Sequence, residues 1–247
     1  MNAERIKDNF ITLIRPFMVY RPVKGNPDLI AALNEKYYRL SAKERMMEIF
    51  HDFDPGRILI TSSFGTSSVF LLSLLHEARQ HTKIYFIDTG YLFRETHRHM
   101  HHLRELLGLD IIMIKPDPAE HMITERKKTW QTDPDECCNV NKIKPLKKIR
   151  PSFDVWMTGL TGYQNDYRKN LQIFESNNIL RFYPIIDVTR DELNRYLESR
   201  NLPEHPLAGT GFGSVGCTHC TVPGAGRNGR WANLKKTECG LHVKADR

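Results

Sequence analysis

The sequence predicts an α/β fold: a doubly wound, mainly parallel sheet with helices on both faces and a flexible C-terminal tail. Three observations carry that reading. Between about residues 51 and 205, short apolar runs alternate with longer amphipathic segments, which is the pattern of strand–helix units. The first fifty residues are amphipathic at helical spacing, as in NPDLIAALNEKYYRLSAKERMMEIF. Beyond about Pro206 the texture turns glycine-rich and irregular, as expected of a tail ordered by a ligand or a metal. The expected organisation is therefore an N-terminal helical segment (1–50), an α/β core (51–205) and a tail (206–247).

The elements follow in order. Pro55-Gly56 ends the helical pattern, RILITSS reads as a buried strand, and SSVFLLSLLHEARQ as a helix opening directly after it. KIYFIDTG is a second strand, RETHRHMHHLRELLG a second helix and LDIIMIKP a third strand. DVWMTGL and ILRFYPII read as further strands, and TRDELNRYLESRN as a helix with Thr189 at its N-cap.

Of the 247 residues, 40% are hydrophobic and 26% charged, the balance of a globular chain. No apolar run approaches the roughly 20 residues that span a bilayer. The N-terminus MNAERIKDNF has no apolar core of a secretory signal, so a cytoplasmic protein without membrane contact is expected. The net charge of +7 is spread over KKTW, NKIKPLKKIR, GRNGRW and LKKTE without interleaved aromatics. That favours a small multiply charged anion over nucleic acid.

In ILITSSFGTSSVFLL a strand runs through a polar glycine-containing loop into a helix. Loop and helix N–H groups there are aimed at an anion, with serine hydroxyls as further donors. The alternative is an ordinary connection capped by Ser67 or Ser68. FIDTG ends the second strand in the same way and places Asp88 and Thr89 at the same sheet edge, with Gly90 supplying a turn. His97, His99, His101 and His102 have helical metal spacing, but Arg94, Arg98, Arg104 and Glu105 among them mark a solvated helix.

Five cysteines occur: the tandem Cys137-Cys138, the pair Cys217 and Cys220 in CTHC, and Cys239 alone in TECGLH. A C-x-x-C pair with a second pair makes a four-thiolate set. An iron–sulfur cluster, zinc and thiol redox chemistry all remain open on this pattern. Adjacent cysteines point apart and suit a compact cluster better than one tetrahedral ion. Lys142, Lys144, Lys147 and Lys148 follow the tandem pair and can offset thiolate charge.

SSFG, IDTG, CC, GCTHC, GRW and KTECGLH, in this order between Arg57 and His242, resemble the thioredoxin-dependent assimilatory sulfonucleotide reductases. The resemblance implies a PP-loop, adenine nucleotide alpha hydrolase-like fold. It also implies reduction of adenosine 5′-phosphosulfate (APS) to sulfite and AMP, with the 3′-phosphorylated nucleotide (PAPS) as the alternative substrate. It gives Cys239 as a nucleophile that becomes S-sulfonated, and thioredoxin or glutaredoxin as external reductant. Cys137, Cys138, Cys217 and Cys220 would hold a [4Fe–4S] cluster. Ser62, Ser63, Phe64, Gly65, Asp88, Thr89, Gly90 and Gly159 would meet the nucleotide, and Lys142 would link cluster and substrate. Arg168, Arg227, Arg230 and His242 would hold phosphate and sulfate oxygens, and a dimer or tetramer is implied.

This chain departs from the family where RRDQS usually follows TGL: it has TGYQND, so two arginines are missing. Two rival classes are a PP-loop ATP pyrophosphatase, disfavoured because SSFGTSS lacks the acidic residue that handles Mg²⁺, and a basic zinc module that binds nucleic acid.

Overall fold

A computed structural model of the chain describes residues 26–242, apart from residues 79–81, 233 and 235. The expected N-terminal helical segment lies partly outside the described residues. Within them it forms two helices, α1 (Pro27–Tyr38) and α2 (Ala42–Asp52). Asn26 opens α1 by accepting from the backbone of Asp28 and Leu29. Ser41 and Glu44 form a reciprocal capping box at the start of α2.

The core alternates β1 (Ile58–Ser62), α3 (Ser68–Ala78), β2 (Lys83–Ile87), α4 (Arg94–Leu107), β3 (Asp110–Ile114) and α5 (Pro118–Arg126). Short helices α6 (Thr129–Thr132) and α7 (Pro134–Cys138) run through a π-helical turn at Asn139–Ile143 into α8 (Lys144–Ile149). Then come β4 (Val155–Thr158), α9 (Asp166–Lys169), β5 (Phe174–Ser176), β6 (Leu180–Phe182) and α10 (Arg190–Ser199). Thr189 caps α10 in a second capping box with Glu192.

The strands form one sheet in the order β3-β2-β1-β4-β6-β5. All pairings are parallel except β5 with β6. Side chains alternate across the sheet. Ile58 and Ile60 of β1 join the large cluster beneath α2 and α3, whereas Leu59 and Trp156 join a second cluster on the other face. Leu241 of the tail packs on that second cluster.

Two sequence expectations need correction. ILRFYPII is a strand only at Leu180–Phe182, and it pairs with β5, a strand not foreseen, across a turn in which Asn178 takes φ +58°. The histidine helix is not wholly solvated: His99 is buried beside His205, their rings 5.2 Å apart. Both imidazoles are held well below their ordinary 6.5, at about 4, chiefly by burial.

Candidate active site

The chain leaves β1 towards β2 on one side and β4 on the other, so the strand order reverses beside β1. In open α/β sheets, ligands bind at such reversals, outside the carboxyl ends of the strands. A cavity of about 170 Å³ lies there. Ser62 and Ser63 at the end of β1, Gly65 in the loop before α3, Thr89 after β2 and Gly159 after β4 all line it. Lys142, Arg168, Arg227, Arg230, Cys239 and His242 complete the group of expected site residues brought to this one cavity.

Three expected residues are not in its lining. Phe64 turns its ring into the core, edge-on to Phe86 at 5.1 Å, with a left-handed backbone (φ +49°). Asp88 accepts from the backbone of Gly90 at 3.1 Å and so shapes the turn. Gly90 has φ +76°, and a Cβ there would meet the His121 ring at 2.7 Å, so glycine is required for the close approach. The side chains of Phe64 and Asp88 therefore stand behind the cavity's lining and shape the loops that carry it.

The described part of the tail is docked, not splayed. Glu238 is buried, and its carboxylate pairs with Arg168 at 2.6 Å and Arg227 at 3.2 Å. Burial alone would raise this carboxyl, but Arg168 and then Arg227 hold it down at about 2. Tyr167 and Arg181 donate to the carbonyl of His242 at 2.7 and 2.6 Å. The His242 ring stacks on Trp156 at 5.1 Å. Burial first, then Arg168, push the His242 imidazole down to about 3 against the opposing pull of Glu238. Gly240, at φ +86°, makes the turn that carries the chain from Cys239 to Leu241.

The other four cysteines converge on a second, smaller cavity. Cys137, Cys138, Cys217 and Cys220 all line it, with Tyr91, Trp130, Asn141 and His219 around them. None is in a disulfide. Trp130 stacks flat on His219 at 3.9 Å and closes one side. Burial pushes the thiols of Cys137 and Cys138 up to about 11 and about 12. Burial would raise Cys217 too, but the Lys142 ammonium, the Thr89 hydroxyl and Arg230 outweigh it and lower that thiol. No three His, Cys, Asp or Glu side chains among the described residues meet around one point as donors to a single metal ion. Lys142 lines both cavities. Burial works against its charge, yet the sulfurs of the neighbouring cysteines, Cys217 first, prevail and raise it.

The phosphoadenosine phosphosulfate reductase domain matches residues 57–223. The chain belongs to the phosphoadenosine phosphosulfate reductase family. Within it, the adenosine 5′-phosphosulfate reductase of Bacillus mycoides is 35% identical over 197 residues, covering 76% of this chain and 84% of that protein. That of Bacillus cereus strain Q1 is 34% identical over 199 residues, covering 76% and 85%. Among solved structures, phosphoadenylyl-sulfate reductase of Candida auris superposes with TM-score 0.68 at 20% identity, over 80% of this chain and 98% of that one. Yeast FAD synthetase has the related fold, with TM-score 0.55 at 19% identity over 78% and 68%. These structures share the α/β architecture of this family member, with its mainly parallel six-stranded sheet. No helix among the described residues is long and apolar enough to cross a membrane.

Sequence reasoning missed Trp156, Glu238, Gln164 and Leu241, all of which line the main cavity. Gln164 lies in the TGYQND stretch and bonds both Arg168 and Ser67. Asn165 of the same stretch donates to Glu238 at 3.0 Å. This stretch thus still feeds the site through Gln164 and Asn165, while Thr161 and Gly162 stand where the two arginines of RRDQS would.

Proposed function

We propose that this chain reduces adenosine 5′-phosphosulfate to sulfite and AMP through an S-sulfonate on Cys239. The observation that carries the reading is that Cys239 lies in the wall of a strand-end cavity together with Lys142, Arg168, Arg227 and Arg230. The names of the Bacillus relatives support the same reaction and substrate. The loop after β1 offers backbone N–H groups and serine hydroxyls to the nucleotide, and α3 adds the positive end of its dipole.

The Cys239 thiolate attacks the sulfur of the sulfate group. The bond from that sulfur to the bridging oxygen breaks, and AMP leaves with the electron pair. Lys142 and Arg230, which pair with no carboxylate among the described residues, offset the charge that builds on the departing and attacking groups, and the Arg230 fork fits the oxygens of sulfate or phosphate. A dithiol protein of the thioredoxin or glutaredoxin class then attacks Cys239 Sγ. The bond from Sγ to the sulfonate sulfur breaks, sulfite departs with its electron pair, and the reductant's second thiol resolves the mixed disulfide. The reductant thus supplies the two electrons and becomes a disulfide. A cytoplasmic setting fits, because dithiol proteins stay reduced there.

Cys137, Cys138, Cys217 and Cys220 would hold a [4Fe–4S] cluster, which in this reading supplies charge beside Lys142 rather than electrons. The fit rests on four buried or half-buried thiols, none in a disulfide, lining one cavity, the donor set that such a cluster takes. Lys142, shared by the two cavities, offsets thiolate charge on one side and faces substrate on the other. Incubation with APS and reduced thioredoxin should release sulfite and AMP in equal amounts. Failure to release sulfite from APS, with release from PAPS instead, would move the assignment to the 3′-phosphorylated substrate.

A further inference from the structure

Glu238 stands one residue before the candidate nucleophile, yet its carboxylate is buried. Oε1 accepts from Arg168 Nε at 2.6 Å and Asn165 Nδ2 at 3.0 Å. Oε2 accepts from Arg168 Nη2 at 3.0 Å and Arg227 Nη2 at 3.2 Å. These donors match the roughly four lone-pair sites of a carboxylate, so the group is saturated while the tail is docked. Arg227 Nη2 also donates to the carbonyl of Thr237 at 3.0 Å. One guanidinium therefore grips both the backbone and the side chain next to Cys239.

Arg168 and Arg227 are thus occupied by the chain's own anion. Lys142 and Arg230 are not: both line the cavity, and neither pairs with a carboxylate among the described residues. Arg230 also keeps its Nε buried without a hydrogen-bond partner.

We propose that Glu238 is a positioning residue: it clamps the tail on Arg168 and Arg227, sets Cys239 at the cavity, and leaves Lys142 and Arg230 to meet the substrate's oxyanions during attack. The proposal rests on the sulfonucleotide reading above. It has a signature that ordinary structural damage lacks. Neutralising Glu238 loosens the tail, which slows the chemistry. It also frees two guanidinium groups at the cavity, which strengthens its hold on an anion. Binding and reaction then move in opposite directions.

The test uses Glu238→Gln and Glu238→Asp in the protein as purified, with three readouts. The first is the rate at which iodoacetamide alkylates Cys239, read on the C-terminal peptide by mass and needing no nucleotide. The second is affinity for AMP. The third is the single-turnover rate of S-sulfonation by APS without reductant. Losing hydrogen bonds to a charged group predicts alkylation at least about tenfold faster and S-sulfonation slower by a similar factor in Glu238→Gln. AMP should bind that variant at least as tightly as the parent, and Glu238→Asp should fall between the two. Unchanged alkylation and S-sulfonation rates would overturn the proposal. So would a proportional loss of AMP affinity and S-sulfonation, which would make Glu238 part of the nucleotide site. If the parent forms no adduct with APS or PAPS, the functional reading fails, and the alkylation rates alone decide whether the carboxylate docks the tail.

Discussion

Replacing Gly240 with alanine probes the geometry that joins the nucleophile to its anchor. Gly240 has φ +86°, and an added Cβ would come within 2.9 Å of Ile143 Cδ1. The left-handed conformation costs an L-residue roughly 1–2 kcal/mol, whereas the Ile143 contact is with the end of a flexible side chain and can yield. The backbone term should therefore dominate, shifting the tail from docked to undocked by roughly 5- to 30-fold. S-sulfonation at saturating nucleotide should fall by up to that factor, and alkylation of Cys239 should rise. Adding Ile143→Ala removes only the contact, so the double variant should recover little of the loss. Two results would refute the reasoning: full recovery in the double variant, or an S-sulfonation rate in Gly240→Ala equal to that of the parent.

Acid should destabilise the fold through His99 and His205, both held at about 4 against an ordinary 6.5. The unfolded chain takes up protons that the buried imidazoles refuse, so their contribution is complete above about pH 6.5 and is lost as pH falls towards 4. At pH 5 this amounts to about 2 kcal/mol per histidine. His99→Leu should remove about half of the drop in thermal midpoint between pH 7 and pH 5, and an undiminished drop would contradict the assignment. Cys220→Ser should lower bound iron and bleach visible absorption. Iron content equal to that of the parent would remove Cys220 from the ligand set.

The strands that build the site were readable because each is a short apolar run with a clear stop. ILITS follows Pro55-Gly56, and KIYFI ends at the Asp88–Gly90 turn. The three-residue β5, FES, was not readable: two of its three residues are polar, and it is a strand only because β6 lies beside it. The cysteines and arginines announce chemistry by residue type, whichever neighbours they find. Glu238 does not, since its meaning depends on Arg168, 70 residues away in sequence. Trp156 reads as one more core residue of VWMT, and only the sheet's alternation turns it away from Val155 and Met157 to lie under His242. Phe64 shows the reverse error. It belongs to the SSFG loop by sequence, but its side chain is the loop's anchor in the core.

The central claim, that Cys239 is the attacking group, is tested most directly by incubating the protein with radiolabelled APS in the absence of any dithiol. The account predicts one sulfonate per chain, found by mass on the C-terminal peptide containing Cys239, with AMP released in equal amount and no adduct in Cys239→Ser. A sulfonate on another cysteine, or an adduct that persists in Cys239→Ser, would contradict it.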